Sequence, residues 1–515
     1  MVDENTWPED YREGSLSVTA LDGIYGDTAR LSVYAGHGNV NLLQWGNPSD
    51  NGACTTTIDT TVRLGRFDGD VAAAVMLLTS CSLRTDQAWD TFRENAVRQI
   101  FGYHNSPYIG YNEARKVFKR TQDGQPTVYA WLDEMEQNGD IGKNSPVALT
   151  FGHGAGEAKA VHAQTNLAKG DGFVVNVTEP VDDYYFEWLD NGCTGSCGGC
   201  SGNAAPPPEI VPGAMVPMVR LIRPLASSAE LVARILHVLL IFGVESLAVA
   251  DSERLETWAD ATVLAHDVGY IRIGDIEVSY EPDAARLRIR DRGALDRARP
   301  GWDDPDQASA EEWETEQARA EALEVRALLE AASGLGGPLA EEFEVSTRRI
   351  GFGGADRPSR SVAHEYLFTT TGRLGGQQVF GHALQIGVTR FGERSSVTIS
   401  TMQAETMQDQ RIKRVPAQAL DALRADLEAR HPAAIAVELI EPRIGYAMRE
   451  DQTDEVVASS LVVGYVLAFP SDAPDPLVSR RRYVKISLVS LDSPPEVLEP
   501  TDPDSEDGGD ARVAR

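Results

Sequence analysis

The chain has 515 residues, 42% of them hydrophobic and 24% charged. That is ordinary globular composition, with apolar material for a sizeable buried core and length for roughly two to four domains. A formal net charge of −31 disfavours nucleic acid and anionic membranes as partners, because both carry the same sign. A basic partner or substrate is allowed but not implied, and a solubility adaptation to a salty or crowded setting is the preferred reading of such a charge.

Met1 to Gly14 reads MVDENTWPEDYREG, an acidic start with no apolar h-region, so no secretory signal is visible. No run reaches the ~18 apolar residues that span a bilayer. Ile235 to Ala250 is the most apolar stretch, holds His237 and Glu245, and is expected as a buried helix and strand. Taken as it stands, the chain is expected in the cytoplasm; a start lost upstream would leave room for secretion.

The first block, residues 15–190, alternates β-rich and helical runs, which predicts an α/β sheet. Ser32 to Ala35 is a short strand ending at Gly36-His37-Gly38. Thr55 to Leu64 is rich in β-branched residues and predicts an exposed strand or hairpin arm. The continuous apolar run Val71 to Leu78 predicts a strand buried on both faces of a parallel sheet. Apolar positions at Trp89, Phe92, Ala96, Val97 and Ile100 predict a helix over Thr85 to Phe101.

Residues 191–212, NGCTGSCGGCSGNAAPPPEIVP, predict a Gly/Cys/Pro-rich linker or exposed loop. The second block, 213–493, holds one or two α+β units. Its expected elements are helices at Ser228–Leu240, Ala308–Ala332 and Pro416–Arg430, the last with proline in its first turn. Tyr366–Thr370, Val379–Val388 and Ser396–Ser400, with a turn at Gly375-Gly376, predict an antiparallel meander. Val456–Phe469 and Arg482–Leu491 are expected as final strands, and the acidic tail 494–515 as disordered.

A thiol peptidase needs a thiolate, a proton donor for the leaving amine, and N–H groups aimed at the developing oxyanion. Strand ends of a parallel sheet deliver such groups to one crevice. Val33-Tyr34-Ala35 runs into Gly36-His37-Gly38, and Met76-Leu77-Leu78 runs into Thr79-Ser80-Cys81-Ser82, so His37 and Cys81 occupy equivalent strand-end positions.

This pattern resembles the caspase, legumain, gingipain and CHAT group of cysteine peptidases, and LLTSCS resembles the CHAT form in particular. The resemblance implies a caspase-like α/β fold, Cys81 attacking the scissile carbonyl, His37 protonating the leaving amine, and the N–H groups of Gly38 and Cys81 binding the oxyanion. AGHG, LLTSCS, Trp89, Phe101-Gly102-Tyr103-His104 and Ala130-Trp131-Leu132 together also resemble an uncharacterised bacterial family with the same pair, over about residues 25–190. Caspase-like sheets carry two strands and one or two helices before the His-Gly strand. Ser15 to Tyr25 has room for one strand, which implies a reduced sheet or a missing start.

His104, Tyr103, Trp45 and Ser80 are the candidates for lining the cleft. A structural turn role for His104, and a core role for Trp45 and Trp131, stand beside that reading. His153-Gly154 competes with His37 as the acid of the pair, with His162 beyond it, and His37 is preferred because the strand before it leads toward the Val71 strand. Cys193, Cys197 and Cys200 have metal-ligand types without an evident fourth ligand; a disulfide plus a free thiol, or reduced thiols, are the alternatives. With five cysteines, Cys54 and Cys81 included, at least one thiol is expected to be free. His364-Glu365 begins a zincin-like pattern, but the fourth position after His364 is Phe368, so the second ligand is missing. No cofactor or metal is expected.

Tyr366 to Val388, YLFTTTGRLGGQQVFGHALQIGV, and the stretch Pro416 to Phe469 resemble the propeptide modules of fungalysin and thermolysin-like proteases. That implies cystatin-like α+β units able to inhibit or position the first block, or a plain scaffold. The expected function is therefore a cysteine endopeptidase-like hydrolase acting on protein or peptide, with a C-terminal regulatory region. The alternative is a catalytically inactive caspase-like scaffold that binds or inhibits, its cleft filled by the chain itself. Cleavage specificity and oligomeric state are not legible in the sequence.

Overall fold

The computed structural model describes residues 7–12, 21, 24–26, 28–46, 52–58, 62, 64, 72–84, 97–109, 113–136, 144–169, 181, 183–191, 213–299, 313–331, 339–354, 357–449, 452–472 and 476–498. The first half contributes strands β1 (Leu31–Ala35), β2 (Gly38–Asn39), β3 (Leu42–Gln44), β4 (Thr55–Thr57), β5 (Ala74–Leu78) and β6 (Gln99–Tyr103). Helices α1 (Glu113–Gln122) and α2 (Thr127–Met135), strand β7 (Pro146–Gly152), helix α3 (Ala155–Gln164) and strand β8 (Asp183–Asp190) follow. After β9 (Met215–Ile222) come helices α4 (Ser228–Ile241) and α5 (Val249–Ala265), then strands β10 (Gly269–Ile273), β11 (Ile276–Glu281) and β12 (Arg286–Asp291). Helices α6 (Arg292–Arg297) and α7 (Thr315–Ala331) precede the long strands β13 (Glu344–Gly354), β14 (Arg357–Leu374), β15 (Gln377–Thr389), β16 (Arg394–Ser400) and β17 (Gln403–Arg411). Helix α8 (Pro416–Arg430) leads to β18 (Ala436–Tyr446), β19 (Asp454–Val457), β20 (Ser460–Phe469), β21 (Leu477–Val478), β22 (Arg482–Ser487) and β23 (Glu496–Val497).

The fold is mixed α/β around one large mixed sheet. β5 lies between β1 and β6, parallel to both, and all five of its residues are buried, as its uninterrupted apolar run requires. β7 and β8 continue the sheet antiparallel, and β8 pairs with β13 over Asp183–Asp190. The two sequence blocks on either side of residue 191 thus share one sheet. Beyond β13 the expected meander forms: β14, β15 and β16 pair antiparallel in order, and Gly375 and Gly376 turn the β14–β15 hairpin at φ +56 and +82. β18 joins β15 in parallel and carries β20, β22 and β23. A separate three-stranded antiparallel sheet is made by β17, β9 and β19. No helix among the described residues is long and apolar enough to cross a membrane.

Helix α8 has the bounds expected from its proline start. Four expectations meet a different structure. Gln99–Phe101, placed at the end of a helix, belong to strand β6, while 85–96 lie outside the described residues. The run QIFGY is buried on both faces between β5 and β7, and a short apolar run of this kind fits either period until its neighbours are known. The strand expected after α4 does not form. Gly243 at φ +80 ends that helix, and α5 begins at Val249, leaving too short a connection for a strand. Val456–Phe469 is two strands in different sheets, β19 and β20. Of the tail, Glu496–Val497 pairs with β22 and residues 499–515 lie outside the described residues; so does 192–212, the expected linker.

The seam between the halves is ionic. Asp133, Glu134 and Glu136 at the end of α2 are each at most 3% exposed; Asp133 and Glu136 face arginines of the second half's sheet, while Glu134 faces Arg120 and Lys116 of α1. Asp133 lies 2.5 Å from Arg290, 3.5 Å from Arg288 and 3.7 Å from Arg348. Arg348 also reaches Glu136 at 3.2 Å, Glu365 at 3.3 Å and Glu187 at 3.4 Å. Lys116 of α1 pairs with Glu281 of β11, and Arg120 pairs with Glu134 at 3.0 Å. Although burial opposes ionisation, the guanidiniums hold Asp133 below the usual carboxylate range. Lys116 and Arg286 hold Glu281 down at about 2.

Candidate active site

β1 and β5 are parallel and in register, Ala35 opposite Leu78, so the segments that follow them leave the same sheet edge side by side. The N–H of Gly36 donates to Leu78 O at 3.4 Å. A Cβ on Gly38 would sit 2.5 Å from Thr79 Oγ1 and 2.6 Å from Leu42 O, so glycine is required there by close approach. The structure therefore brings the backbone around His37 against the start of the Cys81 turn.

That turn is tightly held. Cys81 has φ +52, a left-handed conformation that costs a non-glycine residue about 1–2 kcal/mol. Its N–H donates to Asn105 O at 3.1 Å, and Leu83 N–H donates to Tyr103 O at 3.0 Å. The hydroxyl of Ser82 accepts from Tyr103 N–H at 3.2 Å. The turn is thereby pinned to the end of β6.

Two observations define the state of the pair. Cys81 is fully buried among Val40, Ile440, Val466 and Val478, and it is disulfide-bonded. The Cys81 N–H assigned to the oxyanion is occupied by Asn105 O. Cys54 is a free thiol whose pKa burial raises. The ring of His37 packs on Phe469 at 5.3 Å.

The cleft candidates separate. Ser80 is at the rim, and its hydroxyl donates to Ser479 O at 2.9 Å. His104 leaves β6 at the same edge as Cys81, but its ring lies on Trp188 at 4.8 Å. Tyr103 is core, packed on Trp131 at 5.3 Å, and burial beside Glu113 raises its hydroxyl pKa well above the ordinary value. Trp45 is core too, between Tyr11 and Tyr34 at 5.0 and 5.2 Å. His153 is removed as a competitor by topology. β7 runs antiparallel to β6, so its carboxyl end lies at the opposite edge from Cys81. His162 is buried against Thr150 Oγ1 at 2.8 Å, and His364 is buried with its Nε2 2.8 Å from Leu295 O. Cys193, Cys197 and Cys200 lie outside the described residues, and no metal-ligating cluster is found among the described ones.

Residues that the sequence did not single out complete the site. β21 pairs antiparallel with β2 at Gly38–Val478 and with β20 at Ala468–Val478. Asn39 Nδ2 donates to Pro476 O at 3.0 Å, and Arg481 N–H donates to Pro107 O at 2.6 Å. The C-terminal half thus lies directly over the His37–Cys81 edge. The contact between Ser80 and Ser479 spans 399 residues, a separation at which no local pattern carries a signal.

Among solved structures, the chain is similar to an uncharacterized protein from Eubacterium rectale at 11% identity, over 54% of this chain and 85% of that one, with a TM-score of 0.29. No curated protein matches the chain. Residues 1–189, which hold the His37 and Cys81 edge, match the model of a domain of unknown function, DUF6345.

Proposed function

We propose that the chain is a cysteine endopeptidase-like hydrolase on a caspase-like sheet, held latent by a cystatin-like C-terminal half. The observation that carries this reading is the parallel, in-register pairing of β1 with β5, which sends His37 and Cys81 off one edge on adjacent strands. In the working state the Cys81 thiolate attacks the carbonyl of a peptide bond and His37 gives a proton to the leaving amine. Water then hydrolyses the thioester, with His37 taking the proton back. The Gly38 N–H serves the oxyanion. Reaching that state requires reduction of the Cys81 disulfide and release of its N–H from Asn105.

A second reading, an inactive scaffold that binds or inhibits, draws support from the complete burial of Cys81 and its disulfide. Incubating the reduced protein with a mixed peptide library separates the two. The hydrolase reading expects cleavage that Cys81→Ala lowers on the order of 10³-fold or more and His37→Ala lowers about 10²–10⁴-fold. A library left intact by reduced protein whose 476–481 segment has been released supports the scaffold.

A further inference from the structure

We propose that the strip formed by Gly38, Asn39, Ser80 and Pro107 is a groove for an extended peptide strand, and that the chain's own Pro476–Arg481 segment fills it as a tethered competitor. This deepens the hydrolase reading by assigning the class of ligand and the means of control, and it rests on that reading for the purpose of the groove.

The direction of backbone groups supports it. In a strand, the N–H and C=O of successive residues face opposite edges. The carbonyl of His37 accepts from Gln44 N–H at 3.1 Å, on the β3 side. Gly38 therefore turns its backbone groups to the other side, where Val478 pairs with it. Independently, Ser479 N–H donates to Leu467 O at 2.9 Å, on the β20 side. Val478 therefore turns its own groups away from β20 and toward Gly38. The N–H assigned to the oxyanion thus faces the backbone of the chain's own segment.

The remaining contacts are also directed at main chain. Asn39 holds Pro476 O, Ser80 holds Ser479 O, and Pro107 O receives the Arg481 N–H, beside a parallel bridge between Tyr108 and Arg481. Recognition through backbone groups accepts any extended strand of fitting side chains, which is the physics of strand addition. Val478 also touches the Cys81 cluster, so one residue covers both the donor and the thiol. The pairing is short: β21 has two residues, and only one of them pairs with β2. Short pairings open at low cost. Burial of Leu477, Val478 and Arg481 together with these contacts holds the segment, and tethering adds an effective concentration in the millimolar range for short linkers.

The test uses the full chain and the hexapeptide Pro-Leu-Val-Ser-Arg-Arg, the sequence of residues 476–481, carrying a fluorophore. Val478→Pro removes the N–H that faces Gly38 while leaving the Ser479 bond to β20. Anisotropy should show the variant binding the peptide at least ~10-fold more tightly than the parent, as loss of a tethered competitor demands. Equal affinity for parent and variant, or no binding by a variant with an unchanged circular dichroism spectrum, overturns the proposal. Should Val478→Pro not fold, hydrogen exchange on the parent decides. The amides of 477–479 should exchange at least ~10-fold faster than those of 463–467, and equal protection overturns the proposal. Binding does not use the thiol, so Cys81→Ser in the Val478→Pro protein should bind equally well. Peptide bound but never cleaved would remove the hydrolase reading and leave the groove standing.

Discussion

Replacing Asp133 with alanine should destabilise the protein by about 3–5 kcal/mol, read as a fall in the urea midpoint. The carboxylate is 3% exposed and lies within 4 Å of Arg288, Arg290 and Arg348. It also accepts from Gln125 Nε2 at 2.8 Å. Removing it leaves like charges crowded in a dry seam, with Arg290 losing its near partner and Arg348 keeping Glu136, Glu187 and Glu365. The cost is the penalty of uncompensated buried charge, larger than the worth of any single pair. Asp123→Ala is the control. It pairs with Lys119 four residues before it, just past the end of α1, with both side chains partly exposed, and losing the pair should cost well under about 1 kcal/mol. Similar losses for the two variants would mean that the seam carries no special share of stability.

Acid should lower the protein's stability through two overlapping pH windows. His364 is buried near Glu187 and Arg299, and burial holds its pKa at about 4 against an ordinary 6.5. Burial lowers His162 as well. Between those values the unfolded chain takes up protons that the folded chain refuses, so stability falls as pH drops from about 6.5 to about 4 and is complete above that window. For His364 alone the loss is about 3 kcal/mol. The second window begins near 4.5, the ordinary value for glutamate, and continues toward about 2, where Glu281 titrates in the fold. Asp133, Glu187 and Glu365, all held low in the fold, add to it. Urea midpoints taken from pH 8 to pH 3 check the profile, and His364→Gln should flatten it in the first window. A midpoint constant from pH 7 to pH 4.5 would contradict this.

What the sequence made legible follows from range. β1, β5 and α8 each satisfy a local rule: an apolar run into a turn, a run buried on both faces, a helix opened by proline. The equivalence of His37 and Cys81 came from two such local contexts, and the register of Ala35 with Leu78 accords with it. The preference for His37 over His153 rests on the strand before each, and the direction of β7, which puts His153 at the opposite edge, lies beyond that local context. The covering of the site by Phe469, Val478 and Ser479 was invisible for the same reason, as were the carboxylate partners of Arg288, Arg290 and Arg348. Trp45 and Tyr103 illustrate a further ambiguity. An aromatic beside a motif has the same sequence appearance whether it lines a cleft or fills a core, and here both fill cores.

The state we propose is an activatable thiol beside an imidazole, masked by the chain's own strand. Alkylation by dilute iodoacetamide, followed by mass spectrometry on reduced protein, tests it, with the free thiol Cys54 as an internal reference. In the Val478→Pro protein at pH 7, Cys81 should be modified at least ~10-fold faster than Cys54, with that advantage lost in His37→Ala and absent from the parent. Cys81 reacting no faster than Cys54 once the strand is freed, with His37→Ala making no difference, would contradict it.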